Sequence, residues 1–421
     1  MIKKLIILCL IISVQLFGNT KEELKKKIHE IISMLPAGTN AGIVIYNPLN
    51  QDTIFALNEK SSMIPASLTK LFTTSIALTL MNGDHRLSTK LLTDDLNLKD
   101  GVINGNLFIK GFGNSLFSEN DLQEFVSKLS DLNIKKINGD IIGDDSYTDD
   151  IYLREDWIDN ERANVKLPAI SSLVLDRNKT TIKKKINRRF RYITENIKDP
   201  PLFVASKFNE FLKAAGIEVN GKSKKGITPS GSYPLIEKHV NLKELISIIN
   251  KNSDNFLAEC LFKVIGAEVS GLQGNSFYSQ QAIQKFLKEN NIFSEGTEIV
   301  DGSGISRFDQ TTPLAINGLL EKMYFDLIHF EDFYNSLSIA GVDGTLRGRL
   351  MGTAAENNFR GKTGSLNGVS GLAGYLVDSN SDDLIITIIF EFNKGGWGFY
   401  RDVQDQIVQL LAEWNYNNSG L

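Results

Sequence analysis

The most apolar runs that read as strands lie near the C-terminal end of the chain, Gly371 to Asp378 and Leu384 to Phe392. Near the other end, Ala41 to Tyr46 and Thr53 to Leu57 read as two further strands, joined by a turn at Asn47, Pro48, Leu49 and Asn50. Between them the apolar spacing is mostly helical. Leu24, Ile28, Ile31, Ile32 and Leu35 mark an amphipathic stretch, and Ser67 to Met81, with Pro65 just ahead, predicts a helix starting close to Ser67. Leu242 to Asn250, Asp254 to Gly266, Ser279 to Asn290 and a last segment around Asp402 to Trp414 read the same way. Strands at both ends with helices between predict one sheet assembled from both termini, and anything else must be inserted into it.

The insertion is visible as a change of texture. From about Ser88 to Ser232 short apolar runs alternate with turn residues, and Asn104-Gly105 and Asn138-Gly139 read as hairpin turns. The expected organisation is therefore residues 19–87 and 236–421 as one domain, with residues 88–235 a β-rich insert. Within the insert, Lys179, Lys183, Lys184, Lys185, Arg188, Arg189 and Arg191 crowd into the stretch from Asn178 to Lys198. A solvated basic face is the ordinary reading of such a run, and contact with an anionic polymer is the alternative.

A net charge of −4 over 421 residues gives no general nucleic-acid signature. Lys3 and Lys4 precede an apolar run from Leu5 to Phe17, interrupted only by Ser13 and Gln15. As a helix this run would reach about 20 Å, short of the ~30 Å hydrocarbon core, so residues 1–18 read as a secretory signal, with an uncleaved anchor as the alternative. Membrane contact is expected only through that segment. With the signal removed, Cys260 is the one cysteine left, so no internal disulfide is expected and the thiol reads as buried and inert. His29, His85, His239 and His329 lack ligand spacing, and no metal or cofactor is expected.

Gly361-Lys362-Thr363 poses a choice of chemistry. A phosphate-binding loop needs a glycine five positions earlier, where this chain has Glu356, so the lysine reads instead as a strand residue gripping a carboxylate. In Ser67-Leu68-Thr69-Lys70 the serine and lysine stand three apart and share a helix face, which lets the amine approach the hydroxyl. A serine hydroxyl is a weak nucleophile until a neighbouring base takes its proton. Lys70 can be that base only if neutral, which burial and a second cation such as Lys362 promote. Alone, this pair is an N-cap serine with a surface lysine. Ser253-Asp254-Asn255, likewise, is alone a loop or helix cap.

Together, in this order, the three strings are the signature of penicillin-binding proteins and class A β-lactamases. The chain resembles the D-alanyl-D-alanine carboxypeptidase/endopeptidase family, the class C low-molecular-mass penicillin-binding proteins. Further segments carry the resemblance: the surroundings of Ser67, Asn252 to Glu259, Asp301 to Arg307, Gly344-Thr345-Leu346 and Gly361 to Leu366. The long interval from Ser67 to Ser253 also suits that family, which carries extra domains there.

The resemblance implies an α/β (α+β) fold, a β-lactamase/transpeptidase-like domain whose antiparallel sheet is flanked by helices, plus the β-rich insert. It implies that Ser67 attacks the carbonyl between two D-alanines of a peptidoglycan stem peptide or crosslink, with Lys70 as general base. Ser253 would relay a proton, Asn255 would hold the peptide group, and Lys362 and Thr363 would receive the terminal carboxylate. Gly364 would leave room for substrate along the strand edge, and the N–H groups of Ser67 and Ser365 would form the oxyanion hole. β-Lactams would be covalent inhibitors, and the protein would act outside the cytoplasm, in the periplasm or cell envelope. The rival readings are a serine β-lactamase and a non-catalytic wall-binding protein of the same fold. Asp301-Gly302-Ser303-Gly304 reads as a structural turn near the site.

Overall fold

The computed structural model describes residues 20–157, 166–186 and 189–415. The expected signal, residues 1–18, and Arg188 of the basic stretch lie outside the described residues. Among the described residues no helix is long and apolar enough to cross a membrane.

The chain opens with α1 (Lys21–Ile32), capped by the Thr20 hydroxyl, and a hairpin of β1 (Asn40–Asn47) and β2 (Asp52–Leu57). A short 3-10 turn, Ala66–Leu68, then leads into α2 (Thr69–Met81), whose residues are nearly all buried. The α-helix proper therefore begins two residues after Ser67. With apolar or small residues all round, α2 is a core helix rather than a surface one.

Next come β3 (Arg86–Thr93), β4 (Val102–Ile103), β5 (Leu107–Phe112), α3 (Glu119–Asp131), β6 (Lys136–Ile137) and β7 (Ile141–Asp144). They are followed by β8 (Lys179–Ile186), β9 (Arg189–Asn196), α4 (Pro200–Ala214), β10 (Glu218–Val219), β11 (Ser223–Lys225) and β12 (Tyr233–Asn241). These strands form a five-stranded sheet, β11-β7-β5-β3-β12, a three-stranded sheet, β10-β6-β4, and a separate two-stranded ribbon, β8-β9. Leu107, Ile109, Ile137 and Ile141 from the sheets pack with Leu122, Phe125, Val204 and Phe208 from α3 and α4 in a core of their own.

The expected hairpins at Asn104-Gly105 and Asn138-Gly139 are not there. β4 pairs in parallel with β6, β5 pairs in parallel with β7, and β10 and β11 repeat the arrangement beside β6 and β7. A two-residue hairpin turn of the expected kind needs positive φ, and none of these asparagines or glycines has it. Each Asn-Gly instead marks the step from one sheet to the next. The Asn138 amide donates to Asn104 Oδ1 at 2.9 Å and the Asn220 amide to Asn138 Oδ1 at 2.9 Å, a ladder along the stack. A Cβ on Gly139 would lie 2.2 Å from the Gly105 carbonyl oxygen, so only glycine lets successive turns stack this closely. The insert is thus built on a repeat of Ile or Val followed by Asn-Gly, and the helices α3 and α4, both unexpected, connect its copies.

After β12 the helices return as α5 (Leu242–Asn252), α6 (Asn255–Ser270), α7 (Ser276–Glu289), α8 (Pro313–Tyr324) and α9 (Phe330–Ser336). The chain ends with β13 (Ser338–Ile339), β14 (Arg360–Leu366), β15 (Val369–Val377), β16 (Asp383–Glu391) and α10 (Trp397–Glu413). The six-stranded sheet has the order β13-β14-β15-β16-β1-β2, antiparallel throughout, so strands from both ends of the chain meet where β16 pairs with β1. The expected joint sheet is present. Its two faces bury different clusters: Leu372, Ile386 and Ile388 lie with Tyr400, Ile407 and Leu24 from α10 and α1, whereas Ala373, Ile385 and Ile389 lie with Leu71, Phe72 and Leu319 from α2 and α8. Strands covered on both sides read as continuous apolar runs, which is why β15 and β16 stood out.

Candidate active site

The Ser67 turn is pressed against the sheet by missing side chains. A Cβ on Gly364 of β14 would lie 2.7 Å from the Pro65 carbonyl oxygen, and one on Gly304 would lie 1.9 Å from that of Ala66. The position a Gly364 side chain would take is therefore filled by the Ser67 turn and Leu68. Ala66 itself has φ +49°, a left-handed conformation that disfavours any residue with a side chain. Strain and two glycines fix where the Ser67 hydroxyl sits.

Lys70, fully buried one residue into α2, points its amine back at that hydroxyl: Nζ lies 3.0 Å from Ser67 Oγ, 2.7 Å from Asn255 Oδ1 and 2.6 Å from the Ser303 carbonyl oxygen. Burial lowers the amine to about 8, against the raising pull of Asp301, Glu259, Asp254 and Asp309. Lys362, also fully buried, donates to the Thr363 carbonyl oxygen at 2.9 Å. Its amine is pushed well below the ordinary range, first by burial and then by the charge on Lys70.

The Ser303 carbonyl is presented by the turn that begins at Asp301. Asp301 Oδ1 accepts from the N–H groups of Ser303 and Gly304, and its Oδ2 accepts from the Ser306 N–H and the Trp157 indole. Behind it, burial and then the Asp301 charge push the Asp309 carboxyl well above the usual carboxylate range, and Thr69 Oγ1 donates to Asp309 at 3.1 Å. Ser303 thus contributes its backbone, in keeping with a structural turn rather than a second nucleophile.

The second string lies where α5 ends and α6 begins. Ser253, at φ +54° and ψ +44°, breaks the helix, and Asp254 caps the next by accepting from the Leu257 N–H at 3.0 Å. Arg177 holds Asp254 from outside with contacts of 2.7 and 2.5 Å. Asn255, expected to touch substrate, also hydrogen bonds to Lys70.

Ser67, Ser253, Asn255, Thr363 and Ser365 line one cavity of about 400 Å³, together with Thr345, Arg349 and Arg401. The Thr363 hydroxyl donates to Thr345 Oγ1 at 2.9 Å. β13 covers β14 only at Arg360 and Gly361, so the edge of β14 from Lys362 onward faces the cavity with no strand beside it. Such an edge accepts an extended peptide as an added strand.

Two of these wall residues, Arg349 and Arg401, were missed from sequence. Arg349 is bound by Asp405 at 2.7 Å and by Gln404 at 3.1 Å, while Arg401 Nη2 reaches Ser365 Oγ at 3.4 Å. Arg401, in the first turns of an amphipathic helix, and Arg349, in the loop after Leu346, carry no sequence mark that separates them from solvated arginines. Cys260 is buried, its thiol pushed up to about 12 by burial, as expected of an inert cysteine.

The sheet, its buried helix and the serine, lysine and strand-edge strings are those of the serine enzymes that form acyl-enzymes and recognise penicillin. Within that class the chain belongs to the D-Ala-D-Ala carboxypeptidase 3 (S13) family, which it matches over residues 24–189 and 187–414. It is 26% identical over 417 residues to the D-alanyl-D-alanine carboxypeptidase DacB of Haemophilus influenzae, covering 84% of this chain and 86% of that protein. It is 25% identical over 468 residues to the D-alanyl-D-alanine carboxypeptidase of Actinomadura sp. strain R39, covering 94% and 86%. The crystal structure of penicillin binding protein 4 (dacB) from H. influenzae superimposes with a TM-score of 0.79 at 21% identity, over 91% of this chain and 99% of that one, and so shares the fold.

Proposed function

We propose that the protein is a serine-type D-alanyl-D-alanine carboxypeptidase and endopeptidase that cleaves peptidoglycan stem peptides and crosslinks in the cell envelope through an acyl-enzyme, and that β-lactams acylate the same serine. The observation that carries this is the 3.0 Å approach of the buried Lys70 amine to Ser67 Oγ beside an open strand edge. Neutral Lys70 takes the Ser67 proton as Oγ attacks the carbonyl carbon between the two D-alanines. The N–H groups of Ser67 and Ser365 stabilise the oxyanion, a contribution of about 100- to 1000-fold in rate for each such donor. As the C–N bond breaks, the leaving amine takes a proton through the Ser253 hydroxyl. Water then hydrolyses the ester, with Lys70 again as base.

Substrate lies along the free edge of β14. Its terminal carboxylate meets the hydroxyls of Thr363 and Ser365, and Arg401 supplies the fixed cation there. With the Lys362 amine pushed toward neutrality, a guanidinium is the better anchor for an anion. Lys362 then serves the proton traffic and the placement of Thr363.

Ser67→Ala should abolish both peptide hydrolysis and covalent labelling by penicillin, read as loss of the adduct mass on the peptide bearing residue 67. Labelling that survived in this variant would remove Ser67 from the role. Rapid turnover of a chromogenic cephalosporin, instead of slow stoichiometric labelling, would make the protein a β-lactamase.

A further inference from the structure

The site explains how one peptide is cut, yet it leaves a strongly basic stretch of the chain without a task. Between Lys179 and Lys198 the sequence has eight basic residues and one acid, Glu195, in a chain whose net charge is −4. Of these, Lys179, Lys183, Lys184, Lys185, Arg189 and Arg191 lie on the β8-β9 ribbon, which among the described residues belongs to no larger sheet. Every described side chain of β9 except Ile193 is exposed, with Phe190 at 65% and Tyr192 at 75%. A lone two-stranded ribbon is marginal in water, and large aromatics at such exposure are costly to display without purpose.

The strand register sorts the ribbon into faces. Lys183 stands opposite Tyr192 and Lys185 opposite Phe190, so two cations and two aromatics share one face, and the Lys183 amine sits 4.8 Å from the centre of the Phe190 ring. Lys184 and Arg191 stand opposite each other on the reverse face, where the contact of Lys184 with Glu195 is a loose 3.7 Å. The ribbon's base is fixed to the catalytic loop. Arg177, just before β8, clasps Asp254 and lies 5.3 Å from the Phe256 ring, while buried Asn178 is tied to Ala169 and Leu175. The ribbon's base is thereby anchored to the loop that carries Ser253 and Asn255.

We propose that the β8-β9 ribbon is a docking arm for the anionic peptidoglycan polymer, its lysines and Arg191 meeting stem-peptide carboxylates and its two aromatics packing on the apolar faces of sugars and peptides. The inference rests on the proposed function, because charge complementarity identifies the occupant. Each D-Ala-terminated stem presents a free carboxylate, and each hydrolysis leaves a new one, so the polymer stays anionic before and after cleavage. A second, weak contact of this kind raises the local concentration of an insoluble substrate at the catalytic serine without altering its chemistry. A short soluble peptide fills only the β14 edge and gains nothing from it.

The test compares wild type with K183Q/K184Q/K185Q/R191Q and, separately, with F190S/Y192S. Each is assayed for co-sedimentation with purified sacculi at low and high salt, for release of D-alanine from sacculi, and for turnover of a soluble D-Ala-D-Ala peptide. Sacculus binding and turnover should fall by about ten-fold or more in both variants. In wild type, binding should weaken with salt, while soluble-peptide turnover and penicillin labelling stay at the wild-type level in both variants and show that they fold. Unchanged sacculus binding in both variants would overturn the proposal. So would wild-type binding to phosphatidylglycerol vesicles without binding to sacculi, since the ribbon would then be a membrane contact. Failure of wild type to cleave the soluble peptide would instead count against the proposed function, while ribbon-dependent sacculus binding would still uphold the arm.

Discussion

The position of Lys70 makes a pH prediction with both a direction and a size. Its amine titrates at about 8, lowered by burial, and acts as base only when neutral. About a tenth of the protein then carries the active form at pH 7 and about nine-tenths at pH 9. The second-order rate constant for acylation by a fluorescent penicillin, measured at constant ionic strength from pH 6 to 10, should rise nearly ten-fold per pH unit at first. It should level off past about pH 8, for a total gain of about ten-fold between 7 and 9.

Folding gives an independent reading of the same group. Lys70 binds its proton less tightly folded than unfolded, so between about 8 and the ordinary 10.5 the unfolded chain holds more protons and stability rises with pH. Below that window the buried charge costs on the order of 3 kcal/mol. Chemical unfolding of wild type, measured against Lys70→Met so that other groups cancel, should show wild type gaining about that much from pH 7 to 10.5. Acylation that is flat from pH 6 to 9 would refute the role of Lys70. The Lys362 amine is lowered as well, so a Lys362→Met variant that keeps the wild-type midpoint assigns the profile to Lys70, and one that loses it assigns the profile to Lys362.

Gly364→Ala places a methyl 2.7 Å from the Pro65 carbonyl oxygen, so β14 must back away from the Ser67 turn. Acylation should fall by about 100-fold, as for a misplacement of about 1 Å, with a stability loss of about 1–3 kcal/mol seen by thermal unfolding. Arg401→Gln should raise KM for peptides with a free terminal carboxylate by about ten-fold or more while kcat changes little, and should leave KM for the amidated peptide alone. Gly139→Ala drives a methyl into the Gly105 carbonyl and should destabilise the insert by a few kcal/mol, with penicillin labelling of the folded fraction intact.

Helices and strands that bury continuous or one-sided apolar surface were legible in sequence: β15, β16, α2 and the β1-β2 hairpin fall within a few residues of expectation. The insert misled because Asn-Gly has two uses. As a hairpin turn it supplies positive φ, and as a stacking step it supplies a missing Cβ and an amide for a ladder. The signs of α3 and α4 were present but unread. Ser118 with Asp121 forms a capping box, and Asp199 precedes Pro200 and Pro201, a helix start by any local rule.

The site divides in the same way. Ser67, Lys70 and the strand lysine could be picked out because they stand at spacings that chemistry requires. Arg349, Arg401 and the bond between Lys70 and Asn255, 185 residues apart, depend on distant chain segments meeting in space. What the sequence hides most completely is the cost of the arrangement: two buried amines, Ala66 in a left-handed turn and the buried Asp309 carboxyl all oppose folding. None serves stability locally, so the continuous apolar burial of β15, β16 and α2 must offset them. That division explains why the strands announce themselves in sequence while the reactive groups, except for their spacing, do not.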